Sequence, residues 1–210
     1  LNAILSSKFP IIICGGGVVL AGAMKELKTF VEFLDIAVAT TVSGQGSIPE
    51  THSNCVGVVG SNGGVLATRE IVNQADLVIF IGCRAGSVTT ELWKVPDKNK
   101  RIIHIDSDPE VISASYKTEV GIVSDAYLAL REINNILKNS SKKFPSFYGS
   151  SNVKKVKKKK WDSFNQLAKS LDIPIKPERT IASLRAVLDD DAIIVADPGT
   201  PCPYASAFFE

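Results

Sequence analysis

A run of three glycines, one arginine and a set of aspartates are the residues of this chain whose types and spacing could do chemistry. Gly15-Gly16-Gly17 follows the β-branched run Ile11–Cys14 and precedes a helical pattern. Such a junction offers backbone N–H groups and a helix N-terminus, both suited to phosphate; the alternative is a tight structural turn. The dinucleotide fingerprint is incomplete, because Leu20 stands where the third glycine belongs. A P-loop is excluded, because Gly22 is followed by Ala23-Met24 rather than Lys and Ser/Thr. Arg84, in Gly82-Cys83-Arg84, could hold a diphosphate bidentately or pair at the surface with Glu91. Asp106 and Asp108 could accept from ribose hydroxyls, although Asp108-Pro109-Glu110 also reads as a helix N-cap followed by a first-turn proline. Asp125 could do either job. These residues outline a nucleotide-sized crevice with no nucleophile–base pair in it. Neither His52 nor His104 has an obvious catalytic partner.

The elements that must position them follow from the apolar pattern. Leu1–Ser7 reads as the end of a helix broken at Phe9-Pro10. Ile11–Cys14 and Ile36–Thr41 read as strands, with a helix over 21–34 between them. Ser43–Ser47 is turn-rich, and the glycines from Gly57 to Gly64 lead into a helix over 65–73. Leu77–Ile81, Arg101–Ile105 and Val120–Val123 complete the strands, and Ala126–Leu137 is a closing helix. A helix is also expected after Asp108. Strands alternating with helices predict an α/β fold with a doubly wound parallel sheet of about five to six strands. Right-handed crossovers then bring the strand-end loops to one edge, where ligands bind.

Residues 138–179 read as a linker with a Lys-rich amphipathic helix. Val153, Val156, Trp161, Phe164, Ala168 and Leu171 supply its apolar stripe, and its lysines are expected to face water. Residues 180–210 read as the start of a second α/β unit, with a helix over 180–188 and a strand over 192–196. That unit is expected to be truncated, since a single strand makes no sheet.

Composition excludes several classes. Of the 210 residues, 45% are hydrophobic and 22% charged, as in globular domains rather than disordered or collagen-like chains. The net charge of +2 conceals nine lysines between Lys138 and Lys160; without them, 15 basic residues face 22 acidic ones. No aromatic platform interleaves the lysines, so nucleic acid is not expected as a partner. No apolar run approaches the ~20 residues of a membrane span. Residue 1 is Leu, no signal peptide is visible, and a soluble fragment is expected. Cys14, Cys55, Cys83 and Cys202 form no C-x-x-C pair, and His52 with Cys55 makes no zinc set, so no metal site is expected. Buried free thiols in a reducing, cytoplasmic setting are the expectation.

With those residues in view, the chain resembles the thiamine diphosphate-dependent enzymes of the acetolactate synthase type. Pro10-Ile-Ile-Ile-Cys-Gly-Gly-Gly-Val18 is similar to the opening of their central domain. Thr40-Thr41, Gly44-Gln45-Gly46, Ile48-Pro49-Glu50, Asp76 to Arg84, Ile103-His-Ile-Asp106 with Asp108-Pro109, and Ser124-Asp125-Ala126 follow in the same order. Ala196-Asp-Pro-Gly-Thr200 resembles the start of the C-terminal, diphosphate-binding domain. The resemblance implies a central domain over 1–137 that binds FAD, an ADP or CoA moiety, or nothing. Gly15, Gly16, Gly17, Gly82, Arg84, Asp106 and Asp125 would line that site, and Gly199 and Thr200 would approach the thiamine diphosphate phosphates. It further implies a homo-oligomeric parent of three α/β domains that uses Mg2+ and decarboxylates or ligates 2-keto acids. The segments that activate the aminopyrimidine ring and hold Mg2+ have no counterpart here, so the 210 residues alone are expected to be inactive. Gly199-Thr-Pro-Cys-Pro-Tyr204 departs from the usual segment after that strand. The rival reading is a non-catalytic nucleotide-binding or purely structural module.

Overall fold

The computed structural model describes residues 1–210. Six strands form one parallel sheet: β1 (Pro10–Cys14), β2 (Ala37–Thr40), β3 (Cys55–Val58), β4 (Leu77–Ile81), β5 (Arg101–Asp106) and β6 (Val120–Val123). Their order across the sheet is β3-β2-β1-β4-β5-β6. The chain reverses direction of travel between β1 and β4, so the crevice of a doubly wound fold falls above those two strand ends.

β1, β2 and β4 are buried along their whole length, which is why they read as unbroken apolar runs. Alternate side chains feed two cores. Ile12, Cys14, Ile79 and Ile81 pack with Leu27, Phe30 and Leu34 of α3 (Met24–Leu34) and with Ala129 and Leu130 of α5 (Ala126–Asn139). Ile11, Ile13, Val78 and Phe80 pack on the opposite face with Ile71 and Val72 of α4 (Leu66–Gln74). That second face is completed by Val153 and Val156 of α6 (Gly149–Ala168), the Lys-rich helix. The β2–β3 connection supplies no α-helix of its own, and α6 covers the sheet in its place.

Asp35 fastens α6 to the sheet. It ends α3 in a left-handed conformation (φ 50°). Its Oδ1 accepts from the Ser150 N–H at 2.9 Å and from Asn54 Nδ2 at 2.7 Å, while Oδ2 accepts from Ser150 Oγ at 3.2 Å. Burial raises the Asp35 pKa, but these donors outweigh it and hold the carboxyl below its ordinary value. Beside Asp35, Gly149 is obligatory: a Cβ there would run into the Ile36–Ala37 backbone.

Several expectations are corrected. The helical end expected over 1–7 is α1 (Asn2–Leu5). The helix expected over 21–34 starts later, as α3, and a separate short helix not expected from sequence, α2 (Gly16–Leu20), precedes it; the two are parted at Gly22, whose φ of 63° suits glycine. β3 lies where only a glycine-rich approach to a helix was expected. Asp108 starts no helix; it accepts from the Glu110 N–H at 2.9 Å in a local turn. The Lys-rich helix of this stretch, α6, begins at Gly149, four residues before Val153, the first residue of its expected apolar stripe. The lysines of α6 do not all face water. Val153, Val156, Lys160 and Phe164 are all buried, and helical spacing puts Lys160 on their stripe. Lys160 Nζ lies 2.7 Å from Glu210 Oε1, and Lys157 Nζ bonds the Glu50 carbonyl.

Beyond α6, α7 (Pro177–Val187) starts three residues earlier than expected, with Pro177 in its first turn, and α8 (Pro201–Phe208) closes the chain. The strand expected over 192–196 is absent: Ile193 and Val195 are 90% and 92% exposed. A strand needs a hydrogen-bonded neighbour, and none is offered to this segment.

Candidate functional site: a crevice at the switch point

The loops that follow β1, β2, β3, β4 and β5 border a cleft of about 730 Å3. Pockets of about 300–1,000 Å3 are of the size that holds small-molecule ligands. Gly15, Gly16, Gly17, Gly82, Arg84 and Asp106 all line it, so the structure brings together six of the residues singled out from sequence. Thr41, Ser43, Asn62 and Ser87 add hydroxyl and amide groups; Ser43 stands in a turn-rich loop already expected at a strand end, and none of the four was singled out as a site residue. Leu20 and Val88 add apolar wall and are exposed.

The glycine loop is built for close packing first. The Gly15 N–H donates to the Ile81 carbonyl at 2.9 Å, and the Gly17 N–H donates to the Gly82 carbonyl at 3.0 Å. Only the Gly16 N–H is left without a backbone acceptor and free for a ligand. A Cβ on Gly17 would lie 2.7 Å from Gly82 Cα, and one on Gly15 would collide with the Gly82 carbonyl. The side-chain-free junction thus lets the β1 and β4 loops touch backbone to backbone. That is the structural-turn role, with one N–H left without a backbone acceptor.

Arg84 is the cation of the cleft. It is exposed and makes no ion pair, because Glu91 pairs with Arg69 at 2.7 Å instead. The expected alternative of an Arg84–Glu91 pair is therefore not formed. Asp106 ends β5 at the cleft wall, and its Oδ1 accepts from the Asp108 N–H at 3.1 Å. A guanidinium, a carboxylate and a free N–H spaced around one hollow suit a ligand with a phosphate at one end and hydroxyls at the other.

The remaining predicted residues lie elsewhere. Asp125 caps α5, accepting from the N–H groups of Tyr127 at 2.8 Å and Leu128 at 3.2 Å, and takes no part in the cleft. Thr200 borders a separate hollow of about 420 Å3 with Gly63, Gly64 and Tyr204, and Gly199 beside it is exposed. No basic side chain lines that hollow, so the residues of this chain do not by themselves fit a diphosphate there. They do not fit Mg2+ either, since no three His, Cys, Asp or Glu side chains converge.

Cys14, Cys55 and Cys83 are free and buried, as expected, while Cys202 is half-buried. Burial pushes the thiols of Cys55 and Cys83 up to about 11 and that of Cys14 well above its ordinary value, so all three stay protonated near neutrality. The sequence reading missed His104. It is buried beneath the cleft, with Nε2 2.8 Å from the Cys83 carbonyl. A lone histidine inside an apolar strand was the available signal.

No helix is long and apolar enough to cross a membrane. Residues 1–133 match the sequence family described as the thiamine pyrophosphate enzyme central domain. Over its full length the chain is 37% identical to a probable acetolactate synthase large subunit of Methanococcus aeolicus, covering 36% of that protein. It is 33% identical to the probable large subunit of Methanocaldococcus jannaschii, with 99% of this chain and 35% of that protein aligned. The acetolactate synthase isozyme 3 large subunit of Escherichia coli is 27% identical over all of this chain and 36% of its own length. The chain thus spans about a third of the length of the relatives it matches. A glycine-tight switch point, a free arginine above it and this full-length similarity converge on one conclusion: the chain belongs to the thiamine diphosphate-dependent, acetolactate synthase-like enzymes, with their central domain at its N-terminal end.

Proposed function

We propose that this chain is the central part of an enzyme that decarboxylates and ligates 2-keto acids, and that its crevice takes the diphosphate of an FAD, ADP or CoA moiety. The observation that carries the ligand assignment is Arg84, an unpaired guanidinium at the β1/β4 switch point beside the free Gly16 N–H. Asp106 would accept from the ribose hydroxyls. Thiamine diphosphate, when bound to the intact enzyme, supplies an electron sink for the carbanion left by decarboxylation. Gly199 and Thr200 would face its phosphates once a neighbouring strand and basic groups are present. We place Mg2+ with ligands outside these residues, the intact protein in a homo-oligomer, and its work in the cytoplasm. No membrane or nucleic acid partner enters this reading.

The intact protein should release CO2 from a 2-keto acid only with thiamine diphosphate and Mg2+ supplied, and residues 1–210 alone should not. Turnover by the 210 residues would overturn the assignment of roles. Calorimetric titration with FAD, ADP and coenzyme A separates the ligand classes. Tight FAD binding lost in Arg84→Ala favours a flavin-holding, synthase-like parent, and ADP or CoA binding without FAD favours acyl-CoA chemistry.

The second reading, a purely structural central module, is favoured by one observation. Gly15 and Gly17 spend their N–H groups on backbone packing. It predicts a folded chain that binds none of the three.

A further inference from the structure

The turn that carries Arg84 is held on both sides. β4 ends at Ile81, and Gly82 (φ 55°) donates its N–H to the Ile105 carbonyl at 2.8 Å. The next carbonyl, that of Cys83, takes no backbone donor; His104 Nε2 meets it at 2.8 Å. On the far side, Ala85 is 1% exposed and left-handed (φ 49°), and its N–H reaches Cys83 Sγ at 3.5 Å. A non-glycine residue holds that conformation only where its surroundings enforce it. Arg84 sits between the two fixed residues with its side chain on the cleft.

His104 is placed to enforce the turn. It lies in the middle of β5, opposite Phe80 in register, 3% exposed, with its ring 5.6 Å from that of Phe80. A carbonyl oxygen only accepts, so Nε2 carries the proton and Nδ1 is bare in the neutral ring. Burial lowers the His104 pKa against the opposing pull of the Cys83 carbonyl and Asp106, which keeps the ring neutral at pH 7. An apolar residue would fill the same space and leave the Cys83 carbonyl without its donor.

We propose that His104 is a positioning residue: its Nε2–H grips the Cys83 carbonyl and so aims the Arg84 guanidinium at the anionic end of the ligand. This rests on the reading of the cleft as a diphosphate site. His104 itself touches no ligand; its effect passes through the turn.

ADP is the probe, titrated calorimetrically into the 210-residue chain and its variants. His104→Leu should weaken ADP binding about tenfold, the scale of losing a well-aimed charge-assisted contact, and His104→Gln, whose Nε2 reaches the same carbonyl, should restore it to within about threefold. Arg84→Ala should cost less in the His104→Leu background than alone, because the arginine is already misplaced there. Unchanged affinity in His104→Leu, additive losses, or no rescue by Gln would overturn the proposal.

If the unmodified chain binds no ADP, the cleft reading fails, and amide exchange decides the positioning separately. His104→Leu should then speed exchange at Arg84 and Ala85 by at least about tenfold while β1 stays protected, and unchanged exchange would overturn it. If His104→Leu does not fold, nitrogen-15 spectra of the unmodified chain must show a protonated Nε2 and a bare Nδ1. The opposite tautomer would sink the idea.

Discussion

Replacing Lys160 by methionine removes one charge from the least solvated ion pair of the molecule while keeping most of the stem volume. The Lys160 side chain is 2% exposed and that of Glu210 13%, with 2.7 Å between Nζ and Oε1. Lys160 Nζ also lies 5.0 Å from the centroid of Trp161 and 5.8 Å from that of Phe208, and a Cβ on Gly57 would come within 3.5 Å of it. Breaking a buried pair by removing one partner costs about 3–5 kcal/mol, because the other charge is left uncompensated. Here Glu210 keeps Lys157 at 3.4 Å, which puts Lys160→Met at the lower end, about 3 kcal/mol. With a urea m-value of about 1–3 kcal/mol/M, the midpoint should fall by about 1–3 M. Adding Glu210→Leu should recover most of the loss, since two apolar residues replace a buried pair nearly neutrally. Urea unfolding followed by tryptophan fluorescence reads both, as Trp161 lies at the junction. A single-variant loss under about 1 kcal/mol, or purely additive losses in the pair, would refute the reasoning and return these lysines to the solvated face.

Two further predictions concern the frame of the crevice and the attachment of α6. Gly17→Ala should destabilise the fold by about 1–3 kcal/mol, the cost of overpacking against the Gly82 backbone. Gly86→Ala, in the same cleft with nothing within 4 Å of its would-be Cβ, should change stability by under about 0.5 kcal/mol in a thermal melt. Asp35→Ala should cost about 2 kcal/mol, since it strips a charged acceptor from Ser150 and Asn54 in a part-exposed site. The folded pKa of Asp35 lies below its ordinary 3.8, so its contribution is complete above that value and is lost as pH falls through the folded pKa. Urea midpoints collected from pH 6 to pH 2 should show that acid loss in the unmodified chain and a shallower one in Asp35→Ala.

Much of the fold is legible because the central strands are buried on both faces, while the largely exposed edge strand β6 shows through its β-branched residues. The apolar pattern places Leu77–Ile81 and Val120–Val123 residue for residue, and the strand-end rule collects Gly15–Gly17, Gly82, Arg84 and Asp106 from sequence alone. β3 was hidden because Gly57, with φ 100° beside a register shift on β2, breaks its apolar run. Asp125 reads in sequence as a cap or a ligand-binding acid, because every strand-end acid looks alike; the structure shows the cap, with β6 two strands beyond β4 at the sheet edge. Lys160 was legible in principle, since it stands four residues after Val156 and four before Phe164. Its residue type concealed the phase, and its partner Glu210 lies 50 positions away. His104 stands out only as a lone histidine in an apolar strand; its partner is illegible locally, because it is a backbone carbonyl set by the pairing of β4 with β5.

Arg84 and the Gly16 N–H have a ligand role only if a nucleotide diphosphate binds in the crevice. Amide and arginine side-chain NMR shifts recorded while ADP is titrated into the chain test this most directly. Saturable shifts are expected at Gly16, the Arg84 guanidinium and Asp106, with none at a separate polar hollow lined by Asn73, Lys94 and Lys100. Shifts confined to that hollow or to the exposed lysines of α6, with the crevice silent, would contradict it.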